Sequence, residues 1–416
     1  MKNILWASQG ELERFRLALL KEQIKYCYNN IPFYRRTMES KNLKPGDFRK
    51  LGDLGNLPII NKEVVRKDYS QFISKKFKMG ICKKSFSSGT TGEPFRSYFD
   101  RKTWLRKRYL SKLRARRICG MQFGQKVAIF ESQSNEKLLK LNRKIRFNTP
   151  LQRVRYFSTF ENIDSILPAM RDFNPHNIYC APSYAFELTR ALEKEKIKLR
   201  NLQRVFTSSE YLEQTVRTYI EKILDVPVFD LYGSTEFKEV AWECEKHEGY
   251  HINEDQVIVE IIKEGNPAQA EEIGEIVLTD LRNKAMPLIR FKIKDRGILL
   301  SQRCSCGLSF SLMKPVSGRT TEYIELPNGE RISQFRLTTA VEHVPGLLKY
   351  QIIQSASEQL LVKVILEPRY NADSMMQVER IIRDITLEYM AISVERCQNI
   401  YDDKLGKYKV VKRLAS

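Results

Sequence analysis

The chain has 416 residues, 42% of them hydrophobic, with 21 Phe and 19 Tyr; that is enough for a sizeable core and too long for one ordinary domain, so two unequal domains are expected. No apolar run approaches the roughly 18 residues that span a bilayer, and "ILWA" near the start is too short for a signal-peptide core, which speaks against a transmembrane protein and for a cytoplasmic one. The 71 Lys+Arg against 50 Asp+Glu, a net +21, point to an anionic partner such as a nucleotide, an acidic carrier protein, an acidic glycan or the inner membrane face; no recognition motif supports nucleic acid.

In chain order, "ELERFRLALLKEQIKYCYNN" repeats its apolar residues at helical spacing, and Pro32 in "IPFY" breaks the helix. The stretch "SFSSGTTGEP" at 85–94 crowds Ser, Gly and Thr into a loop. It is not a nucleotide P-loop, because the closing Lys-Ser/Thr pair is missing and Glu93 stands where a basic residue belongs. The run "RKTWLRKRYLSKLRARR" at 101–117 reads as an amphipathic helix with a solvated basic face, with an anionic docking surface as the sharper alternative.

From about 120 to 260 short β-rich runs, "KVAIF", "NIYCAPS", "LQRVFTSS", "VPVFDLYG" and "QVIVEII", alternate with amphipathic segments. That alternation predicts a mostly parallel α/β sheet with ligands at the carboxyl ends of its strands, where Ser208, Ser209, Glu210 and "YGSTE" fall. Beyond "GEIVLTDL" the chain is β-rich, and the last hundred or so residues read as a small α+β unit. Within it "LLVKVIL" is a strand, "MMQVERIIRDITLEYM" a helix and "DDKLGKYKVVKR" an exposed polar loop. The fold class is therefore α/β, with a large N-terminal domain of mostly parallel sheets plus a β-rich subdomain, and a small α+β C-terminal domain.

The eight cysteines should be reduced in a chain with no secretory signal. "CEKHEGYH" supplies Cys244, His247 and His251, and "CSCG" supplies Cys304 and Cys306. A Cys-x-x-His pair with a Cys-x-Cys pair offers four soft ligands for a closed structural Zn²⁺ site, with His251 the rival of His247. The competing reading is reduced thiols in loops and a histidine near an acyl pocket.

"SSGTTGEP" (87–94), "YGSTE" (232–236), "GEIVLTDL" followed by "PLIRFKIKD" (274–295), "GR" at 318 and "LGK" at 405–407 occur in one order. In that order the chain resembles the adenylate-forming superfamily of acyl-CoA synthetases, luciferases and peptide-synthetase adenylation domains. "NIPFYR" and the short length look most like the phenylacetate-CoA ligase branch and its relatives in capsular polysaccharide clusters, and similar Cys/His clusters occur in that branch. The likeness covers nearly the whole chain.

The resemblance implies an ATP-dependent, AMP-forming ligase that needs Mg²⁺. Such an enzyme joins a carboxylic acid to AMP and then passes the acyl group to CoA, a carrier protein or an amine. It implies that Ser87, Ser88, Gly89, Thr90, Thr91 and Gly92 hold the phosphates, and that Ser209 and Glu210 lie at the adenine strand end. Within "YGSTE", Tyr232 stacks on adenine, Gly233, Ser234 and Thr235 bind ATP with it, and Glu236 holds Mg²⁺. Asp295 would accept the ribose hydroxyls, Arg319 mark the hinge between 1–318 and a mobile 319–416, and Lys407 bridge carboxylate and α-phosphate. Three positions depart from the pattern: Glu93 replaces a frequent lysine, Lys294 a frequent glycine before the aspartate, and Thr321 the usual hinge aspartate or lysine. The acid pocket is expected between Tyr179–Tyr184 and the residues before Tyr232. A degenerate nucleotide-binding or assembly protein of a glycan pathway is the alternative from another class.

Overall fold

The computed structural model describes residues 4–86, 95–131, 153–159, 161–316, 323–341, 344–370, 372–400 and 409–414. The expected phosphate loop, Arg319 with the boundary at 318, and Lys407 lie outside these residues. The chain divides into two compact units, Met1–Gly120 with Leu231–Val316, and Met121–Asp230 with Ser317–Ser416.

In the first unit helix Gln9–Asn30 starts at a capping box, where Ser8 and Glu11 each satisfy the other's backbone N–H. It stops at Ile31, and Pro32, which has no N–H to lose, opens helix Pro32–Ser40. Leu20, Ile24, Cys27, Tyr34, Phe48 and Phe72 from this region share one core with Phe237, Leu278 and Phe291. Tyr34 ties it to the "PLIRF" segment, donating to the Pro287 carbonyl at 3.2 Å and accepting from the Ile289 N–H at 2.8 Å. Strands Val257–Lys263, Gly274–Asp280, Phe291–Leu299, Leu312–Val316, Tyr250–Ile252, Lys238–Glu243 and residues 231–234 pair antiparallel in that order.

Val257–Lys263 thus departs from the parallel sheet in which the alternation of segments had put it. No helix separates these strands, and short turns can join only antiparallel neighbours.

In the second unit strands Arg153–Ser158, Lys126–Glu131, Asn177–Cys180 and Arg204–Ser208 are parallel, in that order. Helices Ile163–Phe173, Pro182–Lys194 and Gln214–Leu224 supply the crossovers. Their core of Phe130, Phe157, Phe186, Val205 and Ile220 also takes in Leu348, Ile365 and Ile400.

Residues 324–411 hold a further core of their own, with Tyr350, Val362, Val378 and Ile382. Its four strands run Ala391–Arg396, Gln359–Leu366, Leu347–Ala356 and Val411–Arg413. Helix Ala372–Ile385 stops short of the periodic run because Leu387 and Glu388 both turn left-handed, at φ 52° and 61°. Val411–Arg413, taken from sequence as loop, is a strand whose Val411 is buried.

Candidate functional site

Strands ending at Ser234 and starting at Lys238 form a tight hairpin, with Ser234 paired to Lys238 and "TEF" as its turn. Only glycine fits at 233, since a Cβ there would lie 2.2 Å from the Lys238 carbonyl oxygen. Phe237 anchors the turn in the core, its N–H donating to Ser234 Oγ at 3.2 Å. Glu236 is thereby held almost wholly buried, with Lys62 Nζ 2.9 Å from its Oε1.

Strand Phe291–Leu299 brings the third expected residue to the same unit. The Tyr232 hydroxyl donates to Asp295 Oδ2 at 3.0 Å. Lys294 takes φ 71°, the left-handed region that glycine adopts freely, and its ammonium is 2.9 Å from Glu63. The lysine therefore occupies the backbone conformation a glycine would take, at some local cost.

In the second unit Ser209 leaves strand Arg204–Ser208 at φ 82°. Ser208 Oγ lies 2.7 Å from the Tyr179 hydroxyl and 3.2 Å from Ser209 Oγ. Glu210 accepts the Ser183 N–H at 3.1 Å and so caps the start of helix Pro182–Lys194. Lys349, 2% exposed, faces Glu187 at 3.6 Å. Burial pulls its ammonium down, while Glu187, Glu210 and Glu213 oppose that.

The basic run 101–117 is not a simple solvated face. It is helical from Arg101 to Ile118 with a π-helical segment at Arg106–Leu110. Lys107, fully buried, meets Asp280 at 2.6 Å, Lys112 meets Glu239 at 3.2 Å, and Arg114 grips both oxygens of Asp255 at 2.9 and 3.0 Å. Burial alone would raise the Asp255 carboxyl; the Arg114 guanidinium outweighs it and holds it low. Much of the positive charge therefore neutralises carboxylates within the unit. Lys62, Lys107 and Lys238 escaped the sequence reading, because their partners are remote in the chain and no motif marks them.

The thiol and imidazole groups gather as expected, with one exchange. Ligand atoms of Cys244, His251, Cys304 and Cys306 all lie within 4.8 Å of one another. Cys244 Sγ is 3.4 Å from Cys304 Sγ, and Cys306 Sγ is 3.3 Å from His251 Nε2. Ligands about 2.3 Å from a tetrahedral Zn²⁺ would be separated by roughly 3.5–3.8 Å, so the quartet fits. His251 Nδ1 is 3.1 Å from the Phe310 carbonyl. A carbonyl only accepts, so Nδ1 carries the proton and Nε2 presents its lone pair to the quartet.

His247, the expected ligand, is outside it. It ends the turn closed by its own N–H onto the Cys244 carbonyl, at φ 50°, with Nδ1 3.6 Å from Glu243. His251 is carried in by strand pairing with Trp242 and Leu312.

Residues 324–414 match the family described as the CapK C-terminal domain. Phenylacetate-coenzyme A ligase of Thermus thermophilus is 27% identical over 345 residues, covering 80% of this chain and 76% of that protein. Protein CapK of Staphylococcus aureus is 23% identical, covering 83% and 76%. In fold, the chain is similar to 2-hydroxyisobutyryl-CoA ligase in its postadenylation state, with a TM-score of 0.79 at 18% identity over 97% of this chain and 89% of that one. The motif order, the α/β architecture with its small C-terminal part and these relatives agree: the chain resembles the phenylacetate-CoA ligase-like branch of the adenylate-forming superfamily.

Proposed function

We propose that the chain is an ATP-dependent, AMP-forming ligase that activates a carboxylic acid as its acyl-adenylate and hands the acyl group to CoA, a carrier thiol or an amine. The observation that carries this reading is the grouping of Tyr232, Glu236 and Asp295 in one unit, with Glu236 fixed in a buried turn and Asp295 bonded to the tyrosine. Acid-dependent exchange of pyrophosphate into ATP tests it.

A carboxylate resists nucleophiles because its own charge shields the carbon. Its oxygen instead attacks the α-phosphorus, and the bond to the bridging oxygen breaks as pyrophosphate leaves with the electron pair. Negative charge accumulates there, and preorganised cations are the largest help. Lys407 is assigned that place, and residues 319–416 the role of the module that carries it in and withdraws it. Asp295 has acceptor capacity for a vicinal diol beyond its bond to Tyr232. Glu236 suits Mg²⁺, which takes one or two carboxylates plus substrate phosphates and neutralises their charge when bound; Lys62 balances that carboxylate otherwise.

The second half-reaction needs an acceptor thiol or amine. The phenylacetate-CoA ligases favour CoA by analogy. The second reading is a catalytically degenerate nucleotide-binding or assembly protein of a glycan pathway, and the similarity to CapK is compatible with either.

The quartet Cys244, His251, Cys304 and Cys306 is assigned to structural Zn²⁺. Four protein ligands leave no open position for catalysis. Metal analysis of protein purified without chelator should find one equivalent per chain, and Cys304→Ser should lose it along with thermal stability. His247→Ala should retain the metal; its loss in that variant would return His247 to the ligand set.

A further inference from the structure

The helical stretch from Arg101 to Ile118 is turned inside out. Thr103, Lys107, Ser111 and Ala115, spaced four residues apart, are buried, whereas Leu105, Tyr109 and Leu110 are 48%, 53% and 58% exposed. An ordinary surface helix does the reverse and turns its large apolar residues to the core. Here the inward polar groups are bonded: Thr103 Oγ1 donates to the Arg282 carbonyl at 3.0 Å, Ser111 Oγ donates to that of Arg106 at 3.2 Å, and Lys107 meets Asp280. The π-helical segment Arg106–Leu110 is wider than an α turn, and it leaves both Tyr109 and Leu110 outside between the buried Lys107 and Ser111. Single exposed apolar residues are common on any protein. Three on one helix that buries a lysine in their stead form a surface with a use.

The charge along this helix has one sign. Arg101 and Lys102 are exposed at its start and Arg117 near its end, Arg106 and Arg108 are half-exposed between them, and no Asp or Glu occurs from 101 to 130. Arg108 lies over the rings of Trp104 and Tyr109, 5.3 and 5.9 Å from their centroids. One acid of the same unit, Glu22, is within electrostatic reach of Lys102, and Lys284 already pairs with it at 2.9 Å.

A second copy of the chain would bring the same cationic face against this one. An acidic protein would need an apolar hollow of its own to cover the two leucines. A bilayer surface with anionic lipid meets both demands at once, with leucines at the acyl boundary, the tyrosine ring at headgroup level and guanidinium and ammonium groups among the phosphates.

We propose that the outward face of Arg101 to Ile118, with Leu105, Tyr109 and Leu110 set among cations, docks the chain on a membrane surface rich in anionic phospholipid. The inference is independent of the adenylation reading.

The test is sedimentation of the full chain with vesicles of phosphatidylglycerol and phosphatidylcholine in equal parts, and with vesicles of phosphatidylcholine alone. The chain should bind the first at low salt, lose affinity as salt rises, and bind the second far more weakly. Arg101→Gln combined with Lys102→Gln should weaken binding to the anionic vesicles roughly 10- to 30-fold, about fivefold for each cation near the surface. Leu105→Gln combined with Leu110→Gln should weaken it on the order of 10- to 100-fold, through the apolar area that no longer leaves water. Both double variants keep good helix formers at exposed positions and should melt as the wild type does.

Quenching by phospholipids brominated in their acyl chains covers the case in which a glutamine variant does not fold: Tyr109→Trp should be quenched more strongly than the wild-type chain on the anionic vesicles. No binding of the wild type to those vesicles, equal binding to both kinds, wild-type affinity in the leucine double variant, or no added quenching at position 109 overturns the inference. Self-association of the wild type that the leucine variant abolishes would overturn it in favour of a second copy. Binding to polyglutamate as tight as to vesicles, and indifferent to the leucines, would overturn it in favour of an acidic protein.

Discussion

Lys407→Ala is expected to lose acyl-adenylate formation by about 10²- to 10³-fold, the usual effect of removing one preorganised donor from a charge-developing transition state. It should melt at the wild-type temperature. Ile400 before position 407 and Val410 and Val411 after it are buried. Val411–Arg413 pairs parallel with Leu347–Ala356. Supplied with a ready-made acyl-adenylate and the right acceptor, the variant should still complete transfer, because in this reading the lysine has withdrawn by then. Half-reaction rates measured separately check this; equal losses in both, or undiminished adenylation, would remove Lys407 from its assigned place.

The largest stability effect is expected at Lys107. Its ammonium, fully buried, is 2.6 Å from Asp280 Oδ2 and 5.5 Å from the Phe237 ring. Asp280 Oδ1 also accepts the N–H groups of Arg282 and Asn283, which turns the chain out of strand Gly274–Asp280. Lys107→Met keeps the length of the side chain and strands a buried carboxylate, a change that costs about 3–5 kcal/mol. The urea midpoint of the first unit's transition should fall accordingly. Asp280→Asn, which keeps an acceptor for the two N–H groups but leaves the ammonium without its charge, should fall comparably. A shift under about 1 kcal/mol, the range of an exposed pair, would mean that water reaches the site.

What the sequence made legible was local. Pro32 marks a helix end through its own missing N–H, and the structure has the end there. The glycine at 233 and the turn after it follow from backbone sterics within one hairpin. Pairings at long range were not legible. Lys107, Lys112 and Arg114 look like a solvated stripe until Asp280, Glu239 and Asp255 come alongside from distant parts of the chain.

The choice of His251 over His247 has the same origin. Both lie at plausible spacing from Cys244, and it is the pairing of Tyr250–Ile252 with strand Leu312–Val316 that carries one of them to Cys306. Val257–Lys263 shows the limit of reading a segment by its composition. A run of buried β-branched residues suits a parallel or an antiparallel strand, and only the connections decide.

The most direct measurement of the central claim is exchange of labelled pyrophosphate into ATP by the purified chain, with Mg²⁺ and a panel of aryl, aliphatic and hydroxylated carboxylic acids. The account predicts exchange that depends on at least one acid and is abolished with Glu236→Gln, with no CoA required. Absence of exchange with every acid, from a chain that binds MgATP and melts as a folded protein, would contradict it and leave the non-catalytic role in glycan assembly as the better reading.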